Sequence, residues 1–214
     1  MTTKHLLFAV VLLAFGTATQ RGAAQQLVTS MDTKRVEEAF RLAADDKASA
    51  RFLDAYVVQT RAGWGNGPLI GIFSTPFSRV VQAAVAARRK GMPVGVSDVP
   101  AKLLAEELHV VATAQKGWPD DTMIATVHSV VLTTPGTTGP PGIVQPQRTE
   151  ELTTEYRALY GIPSTEPGIV AIFPLTALTP GSVIRVTFDR PARGFTGLSM
   201  CRVCVVPVDL GRVR

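Results

Sequence analysis

The sharpest chemical feature of this 214-residue chain is a pair of histidines, His109 and His128, the only two downstream of its N-terminal apolar run. Neutral imidazole is the commonest metal ligand, and imidazole titrates closest to neutrality. A hairpin turning between Trp118 and Pro119 puts positions 109 and 128 opposite each other. Directly opposed strand residues have Cβ atoms about 4.5–5.5 Å apart. Two rings so placed would share Zn²⁺ or Cu²⁺, with Asp120, Asp121 or Glu107 as third ligand, or would repel each other when both protonate. The plainer alternative is two half-exposed strand residues in another register. It carries more weight, because a one-residue slip undoes the pairing.

Cys201 and Cys204 are the only cysteines. A thioredoxin-like C-x-x-C opens a helix, whereas Val203, Val205 and Val206 read here as strand. Three extended residues span about 10 Å, beyond the roughly 7 Å reach of a disulfide, so a bond needs a tight turn at residues 200–203. A local disulfide, two separate thiols, and a redox or metal site all stay open. Val205 stands where a covalent haem motif needs histidine.

Trp64 and Trp118 sit in loop-like stretches, as aromatic contacts for a sugar or a partner or as pins holding each loop to the core. Glycines 63, 65 and 67 follow a helix-like segment and precede a strand-like one, the reverse of a dinucleotide-binding turn. Gly-x-Ser-x-Gly, Ser-x-x-Lys and His-Glu-x-x-His do not occur. Glu106, Glu107, Glu150, Glu151, Glu155 and Glu166 read as surface charge.

The elements that must carry these residues divide the chain. Helical spacing of Val36, Phe40, Ala43, Phe52 and Tyr56 predicts a helix over 35–58. A turn over 61–68 leads to a strand at 69–73. Thr75-Pro76 then starts a helix that ends at Arg88, Arg89, Lys90 and Gly91. A short helix is expected over 101–108. Beyond it, β-branched runs at 109–114, 123–133, 168–173, 182–189 and 202–208 predict strands, with a loop over 134–147 and a helix over 150–160. Helices first (33–108) and strands later (109–210) argue for one α+β domain, its helical half packed on a mainly antiparallel sheet or sandwich.

The N-terminus reads as a cleavable secretory signal, residues 1–24. Lys4 and His5 precede an unbroken apolar run over 6–15, and Gly22 and Ala24 suit a cut before Gln25. The run falls short of the roughly 20 residues that span a bilayer, and no cysteine behind it invites a lipid anchor. Removing Lys4 and Arg21 leaves 20 basic against 17 acidic side chains, a net +3. So modest a charge, without a basic stripe, argues against nucleic acid.

The mature chain, residues 25–214, is thus expected in the periplasm or outside the cell, without a transmembrane segment or cofactor. It reads as a non-enzymatic binding module for an envelope component or protein partner. The alternative is a metal-assisted or carboxylate hydrolase using His109 and His128.

Overall fold

A computed structural model describes residues 30–59, 69–92, 95–113, 126–135, 141–162, 167–193 and 200–207. The stretch expected to form one helix forms two, α1 (Thr33–Ala44) and α2 (Asp46–Asp54), followed by a short strand β1 (Val57–Gln59). The break has a side-chain cause. Asp45 is extended, and its carboxylate accepts from the main-chain N–H groups of Lys47 (2.9 Å) and Ala48 (3.0 Å). A capping aspartate satisfies donors that a new helix would otherwise leave bare.

Strand β2 (Leu69–Ser74) leads into α3 (Pro76–Arg89), which Thr75 and Ser78 start with a reciprocal capping box. The helix expected over 101–108 is only a single turn, α4 (Ala101–Leu104). Glu107 and Leu108 instead open strand β3 (Glu107–Thr113), because Pro174 and Phe173 lie opposite to pair with them. Strand β4 (Val127–Thr134) pairs with β5 (Gly142–Val144), a strand inside the stretch expected to be loop. The helix expected over 150–160 divides into a polar strand β6 (Arg148–Glu151) and α5 (Thr154–Tyr160). Strands β7 (Gly168–Pro174), β8 (Val183–Arg193) and β9 (Met200–Pro207) complete the described residues.

The strands form two antiparallel sheets, ordered β1-β2-β3-β7-β6 and β5-β4-β8-β9. The architecture is α+β, with the sheets stacked. Leu108, Val110 and Phe173 of the first meet Leu132, Val186 and Phe188 of the second in one buried cluster. Alternate residues of the first sheet, including Val111, Val170 and Ile172, face the other way and are covered by Tyr160 and Ile162. Helices α1 and α3 bury a further cluster around Phe77, Val80 and Val81.

The hairpin expected to join His109 to His128 is not formed. His109 lies between Ser74 on β2 and Ile172 on β7, whereas β4 pairs with β5 and β8 in the other sheet. The reason is burial: from Leu108 to Thr113 every residue of β3 is buried. A strand covered on both faces belongs inside a sheet, and β2 and β7 fill the two places beside it.

Truncating Phe188, fully buried between the sheets, should cost about 3–5 kcal/mol, and Asp45→Ala about 1 kcal/mol. Urea unfolding of both variants checks the ranking, which fails if the cap matters as much as the core.

Candidate functional site

Period-two alternation on β3, β7 and β6 builds one wall of the site. Ser74, His109, Ile172 and Arg148 form a row across four strands, and Val111, Val170 and Glu150 form part of the next. Helix α5 lies over these rows. Thr153 caps its start, and Gly161 ends it in a left-handed conformation (φ 66°) that glycine adopts without strain. Tyr156 and Tyr160, one turn apart, share a face; their rings stack at 6.2 Å, and His109 meets Tyr156 edge-on at 6.0 Å.

A continuous polar chain runs through this layer. Tyr160 Oη lies 3.1 Å from His109 Nδ1, and His109 Nε2 lies 3.2 Å from Glu107 Oε2. Arg148 donates to both oxygens of Glu107 (2.7 and 3.0 Å) and, through Nε, to Glu150 (2.8 Å). Tyr156 closes the chain by donating its hydroxyl to Glu150 at 2.7 Å.

Each group is held in one protonation state. The hydrogen bonds from Arg148 hold the Glu107 carboxyl below its usual range, and the Tyr156 hydroxyl, with Arg148, does the same for Glu150. Burial, reinforced by the Arg79 charge, lowers His109 to about 4, so the ring is neutral near neutrality. Burial raises both phenols, Tyr160 to about 12. Glu107, being ionised, only accepts. His109 Nε2 therefore carries the ring proton, and the Nδ1 lone pair accepts a hydrogen bond from the Tyr160 hydroxyl.

Beneath the wall lies Arg79, a fully buried arginine of α3. Among the described residues its hydrogen bonds all go to main-chain carbonyls: Ser74 (3.3 Å), Leu103 (3.3 Å), Glu107 (2.8 Å) and Ala105. It ties the end of β2, the α4 turn and the start of β3 together. Burial pulls its pKa down, while Tyr160, Glu107 and Tyr156 oppose that pull.

These groups border a cavity of about 390 Å³. Arg79, Glu107, His109, Arg148, Glu150 and Tyr156 supply its polar wall, Leu103, Ala105 and Leu159 its apolar patches, and Lys102 and Glu155, paired with each other, its rim. The volume lies at the small end of the roughly 300–1,000 Å³ typical of small-molecule pockets.

Of the residues expected to act together, the structure brings His109 and Glu107 into contact and leaves His128 exposed on the other sheet. Both ring nitrogens of His109 are already engaged, by Tyr160 and Glu107, so a Zn²⁺ or Cu²⁺ ion shared with His128 does not fit this arrangement. Among the described residues no group of three or more His, Cys, Asp or Glu side chains is disposed to hold a metal. Trp64, Trp118, Asp120, Asp121 and Glu166 lie outside the described residues. Cys201 and Cys204 have their backbone in β9, opposite Ala192 and Val186, and their side chains lie outside the described residues.

Two of the glutamates expected as surface charge, Glu107 and Glu150, are structural parts of the site, with side-chain exposures of 19% and 38%. Arg79, Arg148 and Tyr160 carry no motif. Arg79 did leave a signal: it lies among Phe77, Val80 and Val81, with no acidic residue one turn away on either side.

The chain matches no family model, no curated protein and no solved structure.

The lowered pKa of His109 has a sign that can be checked. Its folded value of about 4 lies below the ordinary 6.5, so between these limits the unfolded chain binds the extra proton. The stability present above pH 6.5 should fall as pH drops through that window, by about 3 kcal/mol in all. Glu107 and Glu150 add a loss of the same sign below the ordinary carboxylate range. Urea unfolding at pH 7, 5 and 4 should show the slope, and His109→Asn should flatten it between pH 6.5 and 4; an unchanged slope refutes the assignment.

Proposed function

We propose that the mature chain is an exported, non-enzymatic binding module of the cell envelope, and that its ligand occupies the cavity between β3, β6 and α5. The observation that carries this reading is the closed hydrogen-bonded chain of the cavity wall, running from Tyr160 through His109, Glu107, Arg148 and Glu150 to Tyr156. General acid–base catalysis favours a group whose pKa lies near the working pH. His109 sits well below neutrality, Glu107 and Glu150 lower than ordinary carboxyls, and both tyrosines higher than ordinary phenols. Such a wall is an array of hydrogen-bonding groups held in place by its own partners, which suits recognition better than turnover.

Export rests on the positive start, the apolar run over 6–15 and the small residues before Gln25. No described helix is long and apolar enough to cross a membrane. A hydrolase built on His109 and His128 has less support, since the two stand on different sheets. A protein partner on the second sheet has its own observation in the exposure of Val203, Val205 and Ile143.

Two measurements test the proposal. Mass spectrometry of the chain from fractionated cells should find an N-terminus at Gln25 in the exported fraction; intact Met1 chain confined to the cytosol would end the export reading. A screen of diverse small fragments by NMR should shift the signals of His109 and Tyr156, with Arg148→Met weakening the hits about tenfold or more. Hits that all map elsewhere would overturn the cavity as the binding site.

A further inference from the structure

The balance of charge in the cavity narrows what it can hold. Among the described residues, Arg79, Lys102 and Arg148 face Glu107, Glu150 and Glu155, and His109 is neutral, so the described lining carries no net charge. Each acid is already joined to a base of the same wall: Glu107 and Glu150 to Arg148, Glu155 to Lys102. The buried guanidinium of Arg79 is taken up by carbonyl oxygens. A charged ligand group finds no unpaired charge of opposite sign among the described lining residues, and beside each charge it could approach stands one of its own sign.

What the wall has left is hydrogen-bonding capacity. Among the described residues Arg148 uses Nε and one N–H on each terminal nitrogen, leaving the second N–H of each. From the described residues Glu150 accepts one hydrogen bond on each oxygen, which leaves a second lone-pair position on both. Donors and acceptors therefore sit side by side on neighbouring atoms. A hydroxyl group uses both at once through a single atom, donating a hydrogen bond to a carboxylate and accepting one from a guanidinium. Tyr156 and Leu159, on the helical side of the same cavity, offer apolar surface for the C–H face of a ring.

We infer that the cavity binds a small, uncharged, hydroxyl-rich ligand, in chemical class a neutral saccharide, gripped by the outer N–H groups of Arg148 and the free lone pairs of Glu150. This rests on the cavity being the binding site, and it adds the ligand's chemistry. Arg148 and Glu150 come from the edge strand β6 and are the more exposed members of the chain, at 48% and 38% of their side chains. A ligand therefore reaches them first, while His109 and Tyr160 hold the layer behind.

The test compares one ring in three charge states. Glucose and N-acetylglucosamine serve as neutral probes, glucuronate and glucosamine as anionic and cationic counterparts, titrated into the full purified chain by calorimetry and by NMR. The neutral probes should shift the signals of Tyr156 and Arg148 and bind about tenfold or more tightly than either charged counterpart, a gap of about 1.4 kcal/mol. Glu150→Gln is a mild change at a half-exposed site. It should weaken the neutral probes several-fold and narrow the gap to glucuronate, because it removes one negative charge from the wall.

Glucuronate or glucosamine binding as well as glucose would overturn the inference. So would cavity signals that respond to fragments of other chemistry but to no neutral sugar, a result that leaves the cavity standing as a binding site. Silence toward sugars and fragments alike would remove the site reading itself.

Discussion

The buried guanidinium of Arg79 is the constraint on which the site depends. It gathers the carbonyls of Ser74, Leu103, Ala105 and Glu107 around one cation, so a helix, a strand end and a single turn are held in mutual register. Three of those carbonyls, of Leu103, Ala105 and Glu107, belong to a stretch that leaves its helix early to become strand. Ala105 also receives the main-chain N–H of Glu107 at 2.7 Å; a buried carbonyl left with no donor at all would cost about 1–3 kcal/mol. Glu107 shows the coupling most directly: its main-chain oxygen serves Arg79, while its carboxylate orients His109 and receives Arg148.

From that pin outward, the polar layer is ordered by elimination of alternatives. An ionised carboxylate cannot donate, so the imidazole tautomer follows; the tautomer leaves one lone pair, so the direction of the Tyr160 hydroxyl follows. Burial keeps the proton from moving, since an imidazolium would sit beside Arg79 in a poorly solvated space. The same desolvation keeps His109 uncharged, a neutral strut between Tyr160 and Glu107.

The α+β division was legible because it rests on local signals. Thr75-Pro76 starts α3, Arg88, Arg89 and Gly91 end it, and β-branched runs mark β4, β7 and β8. The α1–α2 break is local, set by the Asp45 cap, whereas two other misplaced boundaries share one cause, a tertiary partner overriding local preference. Residues 150–151 read as the start of a helix, yet they join β6 because Val170 and Ile169 stand opposite them. Glu107 reads as helix but lies opposite Pro174 on β7. The site was legible only in His109 and Glu107. Arg148 and Glu150 look like any charged pair two residues apart, and what sets them apart is the strand order that places β6 beside β7, a long-range fact that local spacing does not encode.

Arg148, Glu150, Tyr156 and Tyr160 are all supplied by one short contiguous piece, residues 148–160, an edge strand followed by a two-turn helix. The remaining wall stands on the interior strand β3, on α3 and on the α4 turn. An outermost strand has ladder partners on one side only, so such a piece can open on its own while the sandwich stays closed. Occupancy of the cavity would then act as a clasp on this piece. It would slow amide hydrogen exchange there and leave the exchange of β4, β8 and the α1–α3 pair nearly untouched.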